Sequence, residues 1–318
     1  MFSDYEDHWF LVDETAEAIN YSFSKKTNQK ILTDYKDWTL PTLKKNFNYA
    51  LERLKNHVGE NVYVALSGGI DSQFVCLCLK KANIPFRAIT MVMDNDFNKP
   101  DVNSARKFCK KHNILHEEIN VNIIKFLTTK LIDYSNTYEC PSPQFCSHFF
   151  FYEQILDKNP SCLLLGGFYP FINNDDKWDY NLTKAQISWR TFKHKNKCNM
   201  IGDFASYSFD FSILCMMTII KRSIPDNLNK EENAKFQYQM KVDHFQNLDK
   251  GIVPQYFKLT GFERLKSHFN QIHSSQGVFN KLFRRPLEKN FTNKPGHFFI
   301  PKEVNECLFY AFKNINTI

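Results

Sequence analysis

The spacing of apolar residues changes several times along the chain, and each change marks an element. Leu40, Leu43, Phe47, Ala50, Leu51 and Leu54 recur at helical spacing. They predict a helix that starts at Thr39, carries Pro41 in its first turn and runs to about His57. Gly59 ends it. Val62 to Leu66 is a short β-branched and apolar run, which reads as a buried strand. Gly68-Gly69 breaks that run, and Gln73 to Lys81 continues as an apolar segment of helical length. Asn83-Ile84-Pro85 predicts a turn and Phe86 to Met93 a second strand. Asp101 is expected to cap a helix reaching about His112, followed by a third strand over Ile114 to Val121. Helices over about 122–134 and 144–157 and a fourth strand over Ser161 to Leu165 complete the pattern. Strands joined by crossover helices predict an α/β fold: a parallel sheet with right-handed connections and helices on both faces.

The flanking stretches read differently. Residues 1–38 have no clear period and are expected to be an N-terminal arm, bracketed by Tyr5, Trp9, Phe10 and Trp38. Residues 39–180 are expected to form the α/β domain. From Asn181 the pattern turns helical, with Asp203 to Ser206 opening a helix over about 207–221. Residues 181–318 are thus expected to be a mostly helical, basic region on the substrate side.

Composition narrows the classes. The net charge of +7 comes from the part after Asn181, where basic residues outnumber acidic ones, while the earlier part is slightly acidic. Such a surplus suits a polyanion such as tRNA, a triphosphate or a solvated face alike. No nucleic-acid module signature is present, so tRNA is not the favoured partner. Nine cysteines, an odd number scattered through predicted strands and helices, suit reduced thiols and a cytoplasmic location. No apolar run approaches a membrane span, so no membrane partner is expected. The acidic start, Met1 to Asp7, lacks the shape of a signal peptide.

The junction between the first strand and its helix carries the chemistry: Ser67-Gly68-Gly69-Ile70-Asp71-Ser72. A strand, a Gly-rich turn and a helix start aim backbone N–H groups and a positive dipole end at a phosphate. Ser67 and Ser72 add hydroxyls, and Gly68 and Gly69 allow a ligand close to the backbone. Asp71 would repel a phosphate unless a divalent cation, Mg2+, sits between them. The stretch resembles the SGGxDS loop of the PP-loop ATP pyrophosphatases, and lacks the Gly-Lys-Ser/Thr ending of a Walker loop. The resemblance implies an adenine nucleotide alpha hydrolase-like, Rossmann-like fold and ATP cleavage between the α and β phosphates, with AMP passed to an acceptor. In layout the chain is similar to the synthetase domain of asparagine synthetase, which also has a helix directly before the loop strand.

Further site residues follow from that resemblance. Backbone groups of Met91 or Val92, at the carboxyl end of the second strand, are implied for adenine. Gly166-Gly167, ending the fourth strand, is implied beside the nucleotide. Phe168-Tyr169-Pro170 stands there in place of the acidic residues of the family, with Asp175 and Asp176 only later. Arg190 and Lys193 are the cations implied for pyrophosphate and the tetrahedral intermediate, and Lys195 and Lys197 lie near them. Asp94-Asn95-Asp96 reads as loop chemistry rather than a metal pair. Cys140, Cys146 and His148, within a Pro-punctuated stretch, are read first as buried thiols of a loop and helix start. Sulfur transfer at Cys140 and zinc binding are the alternatives. Glu139 is a site candidate from its place at the carboxyl edge. Lys258, Arg264, Arg284 and Arg285 are candidate phosphate or substrate contacts.

These features lead to the expectation of an ATP-dependent adenylating enzyme that releases pyrophosphate and forms an amide or C–N bond on an activated carboxylate. Its cofactors would be ATP and Mg2+, and its substrate a small carboxylate or amine. The residue after Met1 is Phe2 rather than the Cys of a glutaminase, so nitrogen is expected from ammonia, an amine or a separate donating partner. Thiolation of tRNA or a nucleobase is one alternative, and a nucleotide-binding protein without turnover is another.

Overall fold

The computed structural model describes residues 10–14, 19–167, 171–174, 177–180, 184–202, 204, 207–213, 261–290 and 296–315, with single positions between 232 and 246. The first described elements form an antiparallel hairpin, β1 (Phe10–Glu14) and β2 (Ile19–Phe23). Next come α1 (Lys25–Asp34), capped by the Ser24 hydroxyl on the Thr27 amide, and α2 (Leu40–Val58), capped by Thr39 on Thr42. The arm expected at residues 1–38 therefore contains a helix that the aperiodic sequence did not announce. Gly59 ends α2 at φ +74°, a conformation open to glycine.

The central unit follows: β3 (Val62–Ala65), α3 (Ile70–Lys81), β4 (Phe86–Met93), α4 (Lys99–His112), β5 (His116–Val121), α5 (Ile123–Thr129), α6 (Leu131–Tyr138), α7 (Pro143–Leu156) and β6 (Cys162–Leu165). The single helix expected over 122–134 is two, because Lys130 leaves helical geometry between α5 and α6. The helix expected to be capped by Asp101 begins at Lys99 instead, with Asn98 before it. A short hairpin, β7 (Phe171–Asn174) and β8 (Lys177–Tyr180), then α8 (Lys184–Asn196) and β9 (Met200–Ile201), lead out of this unit.

Five strands pair in parallel in the order β5-β4-β3-β6-β9. The chain runs outward from β3 through β4 to β5, then returns to lay β6 on the other side of β3. The order in which strands are added thus reverses between β3 and β6, and ligands in such sheets bind beyond the carboxyl ends of the strands at that point. Side chains alternate between two cores, as a sheet buried on both faces requires. Val62, Val64, Cys162 and Leu164 face a core shared with α2 and α3. Tyr63, Leu163 and Leu165 face one shared with α5, α6 and α7.

The later chain contributes α9 (Gly261–Ile272), a π-helical turn at Asn280–Arg284, α10 (Arg285–Asn290), β10 (Gly296–Phe299) and α11 (Lys302–Ile315). Strand β10 pairs in parallel with β2, so both ends of the chain share one three-stranded sheet. Residues 209–213 are helical; the rest of the helix expected over 207–221 lies outside the described residues. Asp210, in that helix, binds Lys30 of α1 at 2.9 Å and Arg53 of α2 at 3.5 Å. Phenylalanine does much of the packing between these parts: Phe74 of α3 stacks on Phe245 at 4.2 Å, and Phe47 of α2 lies 4.8 Å from Phe211. Among the described residues no helix is long and apolar enough to cross a membrane.

Candidate active site

The loop between β3 and α3 stands at the carboxyl edge of the central strand. Its shape comes from close approach. Gly68 has φ +69°, and a Cβ there would lie 2.3 Å from the Asp101 carbonyl oxygen and 2.9 Å from the Ala105 nitrogen. Only glycine lets the turn rest on the first turns of α4. The Gly68 carbonyl points inward, where it accepts hydrogen bonds from Gln73 Nε2 at 3.0 Å and Ser104 Oγ at 2.8 Å. Opposite it, the Gly69 N–H meets Ser67 Oγ at 3.3 Å on the outer side.

Gly69 is the N-cap of α3 and supplies no side-chain cap. A helix start leaves several amides without helical partners, and their partial positive charge favours an anion. Asp71 sits in that first turn, half-buried. Ser67 is exposed, while Gly69, Gly166 and Gly167 are half-buried. The structure thus brings together five of the expected positions: Ser67, Gly69, Asp71, Gly166 and Gly167. A helix start of this kind beside a carboxylate would suit an anion with a cation between them. Magnesium retains most of its water and takes one or two protein carboxylates besides phosphate oxygens, so Asp71 alone would be enough from the protein side.

Ser72 differs from expectation. Its side chain is buried; the hydroxyl donates to the Gly69 carbonyl at 3.0 Å and accepts from the Ser67 amide at 3.2 Å. The hydroxyl expected to meet phosphate therefore braces the loop from within. Gly166 also has an internal task. A Cβ on it would fall 2.6 Å from the Ser72 nitrogen and 2.7 Å from its Cα, so the end of β6 packs directly on the start of α3.

The strand end expected to recognise adenine is partly occupied. Asn98 Nδ2 donates to the Met91 carbonyl at 2.7 Å, and Asn98 Oδ1 accepts from the Met93 amide at 2.8 Å. This is the pattern a neighbouring strand residue would make, so the Asn98 amide stands in for β3 beyond its end. In β4 the alternate residues face opposite neighbours: Ile89 O bonds Leu66 of the loop segment, while Ala88 N bonds Leu115 ahead of β5. The same alternation turns the Val92 backbone toward β5, where it pairs with Asn120. Of the two adenine candidates, Met91 is the one whose backbone faces the loop side, and its carbonyl already serves Asn98.

Beneath the loop, Thr90 Oγ1 donates to the Leu66 carbonyl at 2.8 Å and lies 2.8 Å from His116 Nε2. With the Thr90 proton directed to the carbonyl, His116 must donate from Nε2, which fixes that tautomer. Burial lowers the His116 pKa; Glu118 opposes the shift and Arg106 adds to it.

The other expected residues are placed elsewhere. Lys193 acts electrostatically on Cys162, at the start of β6, and on Cys198, just before β9. Its charge is thus felt at the amino edge of the sheet, the end opposite the loop. Arg190 is half-buried one helical turn earlier on α8. Asp94 accepts from the Ile123 amide at 2.8 Å and starts α5, and Asp96 pairs with Lys99 at 2.6 Å, as loop chemistry predicts. Glu139 ends α6 at φ +51°, its carbonyl bonded by Ser188 Oγ at 3.2 Å.

Cys140 and Cys146 are fully buried, and Cys146 Sγ donates to the Cys140 carbonyl at 3.5 Å. A hydrogen bond between the two thiols lowers the Cys140 pKa and raises that of Cys146, which burial raises further. His148 lies against the rings of Phe145 and Tyr152. Among the described residues no group of three His, Cys, Asp or Glu side chains could hold a metal. Arg264, Arg284 and Arg285 are exposed on α9, the π-turn and the start of α10. Phe168 to Pro170, Asp175, Asp176 and Lys258 lie outside the described residues.

Sequence reasoning passed over Gln73, Thr90, Asn98, Ser104 and His116. Gln73 had a visible signal, a lone amide within the apolar run of α3. Asn98 had none, because an asparagine in a loop reads as turn chemistry.

Comparison with known proteins follows the same segment. Residues 48–167 match the asparagine synthase family model. No curated protein is significantly similar. Solved structures similar to this chain include a predicted subunit of tRNA methyltransferase from Methanocaldococcus jannaschii, at 19% identity, covering 63% of this chain and 93% of that one, with TM-score 0.33. NMN synthetase from Francisella tularensis has 16% identity, covers 74% of this chain and 95% of its own, and has TM-score 0.33. NH3-dependent NAD synthetase from Campylobacter jejuni has 13% identity, 88% and 96% coverage, and TM-score 0.32. Likenesses at these TM-scores carry no weight for fold or function. The family match does: it covers β3 to β6 of the sheet and includes the Ser67–Ser72 turn, and so supports a likeness to the PP-loop ATP pyrophosphatase superfamily over that segment.

Proposed function

We propose that this chain is an ATP-using adenylating enzyme that keeps pyrophosphate in the Ser67–Ser72 turn and forms an amide or other C–N bond on an activated carboxylate. One observation carries the reading: the Gly69 N–H, which meets the exposed Ser67 Oγ, and the start of α3, which has no side-chain cap, lie beside Asp71 where the strand order reverses. In the proposed reaction a carboxylate oxygen attacks the α-phosphorus, the bond to the β-phosphate bridging oxygen breaks, and pyrophosphate leaves. An amine or ammonia then attacks the acyl carbon, and AMP leaves with the electron pair of the acyl–oxygen bond. Adenylation replaces a poor leaving oxygen by a good one. Loop amides stabilise charge on the departing pyrophosphate without rearrangement at the moment of reaction. Magnesium held at Asp71 would neutralise phosphate charge.

The nitrogen source would be free ammonia, an amine substrate or a separate donating protein. Against sulfur transfer stands the burial of Cys140, since a persulfide carrier needs access to its donor and acceptor. The test is to incubate the protein with Mg-ATP and candidate acceptors (amino acids, other carboxylates with ammonia, and tRNA) and to follow AMP and pyrophosphate. Acceptor-dependent release of both with a carboxylate supports the proposal. Release of ADP and phosphate overturns it. Turnover only with tRNA and a sulfur source, lost in Cys140→Ser, would replace it with thiolation, and ATP binding without turnover would replace it with a nucleotide-binding role.

A further inference from the structure

The Gly68–Gly69 peptide can face the loop mouth in two ways. In one, the Gly69 N–H lies on the outer side, where it now meets Ser67 Oγ at 3.3 Å and an anion would compete for it; in the other, the Gly68 carbonyl would face that side and repel an anion. Because the peptide is planar and trans, fixing the carbonyl fixes the amide on the opposite side. Two glycines offer little steric resistance to such a flip. Something else must decide the orientation.

We propose that Gln73 and Ser104 are positioning residues that lock this peptide in its anion-facing state. Both donate to the same oxygen, Gln73 at 3.0 Å from within α3 and Ser104 at 2.8 Å from α4. A carbonyl oxygen has two lone pairs, and the two donors match them. Gln73 is 0% exposed and Ser104 6% exposed, so neither meets ligand, and they act through Gly69. Glutamine is seldom fully buried without a polar task. Here every other residue from Ile70 to Leu79 except Asp71 and Ser72 is apolar. The α4 contact also couples the turn to the second crossover, because Gly68 has no room for a Cβ against Asp101 and Ala105. A carbonyl flipped outward would leave two buried donors without this acceptor, which is costly.

This inference rests on the pyrophosphate reading of the loop, and its test separates the two. Binding of inorganic pyrophosphate with magnesium is measured by calorimetry for the full chain and for Ser104→Ala, Ser104→Thr and Gln73→Met, with thermal midpoints alongside. Ser104→Ala keeps a good helix former on α4 and is expected to fold. Loss of one donor should weaken pyrophosphate about fivefold, and loss of both in the double variant about twentyfold or more. Ser104→Thr, which retains a hydroxyl, should bind within about twofold of the parent. In turnover the variants should raise KM for ATP more than they lower kcat, a split that mere destabilisation would not produce. Should the Gln73 variant fail to fold, Ser104→Ala alone decides. Parent-like pyrophosphate affinity in a folded Ser104→Ala protein overturns the locking role while leaving the loop reading intact. Absence of binding by the parent chain overturns both.

Discussion

Gly166 and Ser72 are pressed together: a single methyl group on Gly166 would come within 2.6 Å of the Ser72 nitrogen. The second glycine pair is therefore first a packing device, seating the end of β6 on the start of α3. Gly166→Ala must push the two apart, at a cost of about 1–3 kcal/mol. Gly68→Ala adds a left-handed backbone penalty of about 1–2 kcal/mol to a similar clash. Urea unfolding should show lower midpoints for both variants with unchanged slopes. Pyrophosphate affinity should fall in both; a Gly166→Ala protein with parent midpoint and affinity would refute the contact.

Asp71 and Lys193 should behave oppositely. Asp71→Ala is expected to remove ATP cleavage with little change in thermal midpoint, since the side chain is half-buried in the first turn of α3. Lys193→Ala should retain most turnover, because its charge acts on Cys162 and Cys198 at the far edge of the sheet. Initial rates of pyrophosphate release measure both. A collapse of activity in the Lys193 variant would restore the catalytic role first expected for it.

Asn98 holds the end of β4 by two hydrogen bonds to backbone groups. Asn98→Ala leaves the Met93 amide and the Met91 carbonyl short of these partners and should cost about 2–4 kcal/mol, the sum of two such losses. If that strand end borders the adenine, ATP affinity should drop more than pyrophosphate affinity. Equal losses for the two ligands would remove adenine from this edge.

Two histidines should make stability depend on pH. Burial lowers the pKa of both His112 and His116 below 6.5; Lys111 and Lys80 lower His112 further. The unfolded chain then binds protons more readily, so stability is highest above the unfolded value. It declines as pH falls from about 6.5 through the depressed folded values. Urea midpoints measured from pH 7.5 to 5 should fall, and His116→Gln should flatten part of the slope. An unchanged slope in that variant would show that His116 takes up its proton as easily folded as unfolded.

The periodic elements were legible in the sequence. Helix α2, strands β3 and β4 and helix α7 came from local patterns, because apolar spacing and caps act within a few residues. The break at Lys130 was not legible, since nothing in Lys-Leu opposes a continuous helix. Nor was α1, whose Ile31 is buried in the core with distant parts of the chain. The 1–38 and 181–318 boundaries also look different in space, where β2 pairs with β10.

Within the site, sequence alone determined the turn: two glycines, two serines and Asp71, between a buried strand and a helix, already specify a tight loop leading into a helix start, on which the proposed phosphate and magnesium roles rest. Local chemistry suffices there because the donors belong to consecutive residues. Only tertiary structure decided which groups face out. It turned Ser72 and the Gly68 carbonyl inward, set Gly166 against α3, and supplied Gln73, Ser104, Thr90 and Asn98 as braces. It also carried Lys193 to the far edge, because a helix that returns to start a new strand runs from the carboxyl side of the sheet to the amino side. Hydrogen bonds across tens of residues depend on how strands are ordered, and that order is set by the packing of the whole sheet.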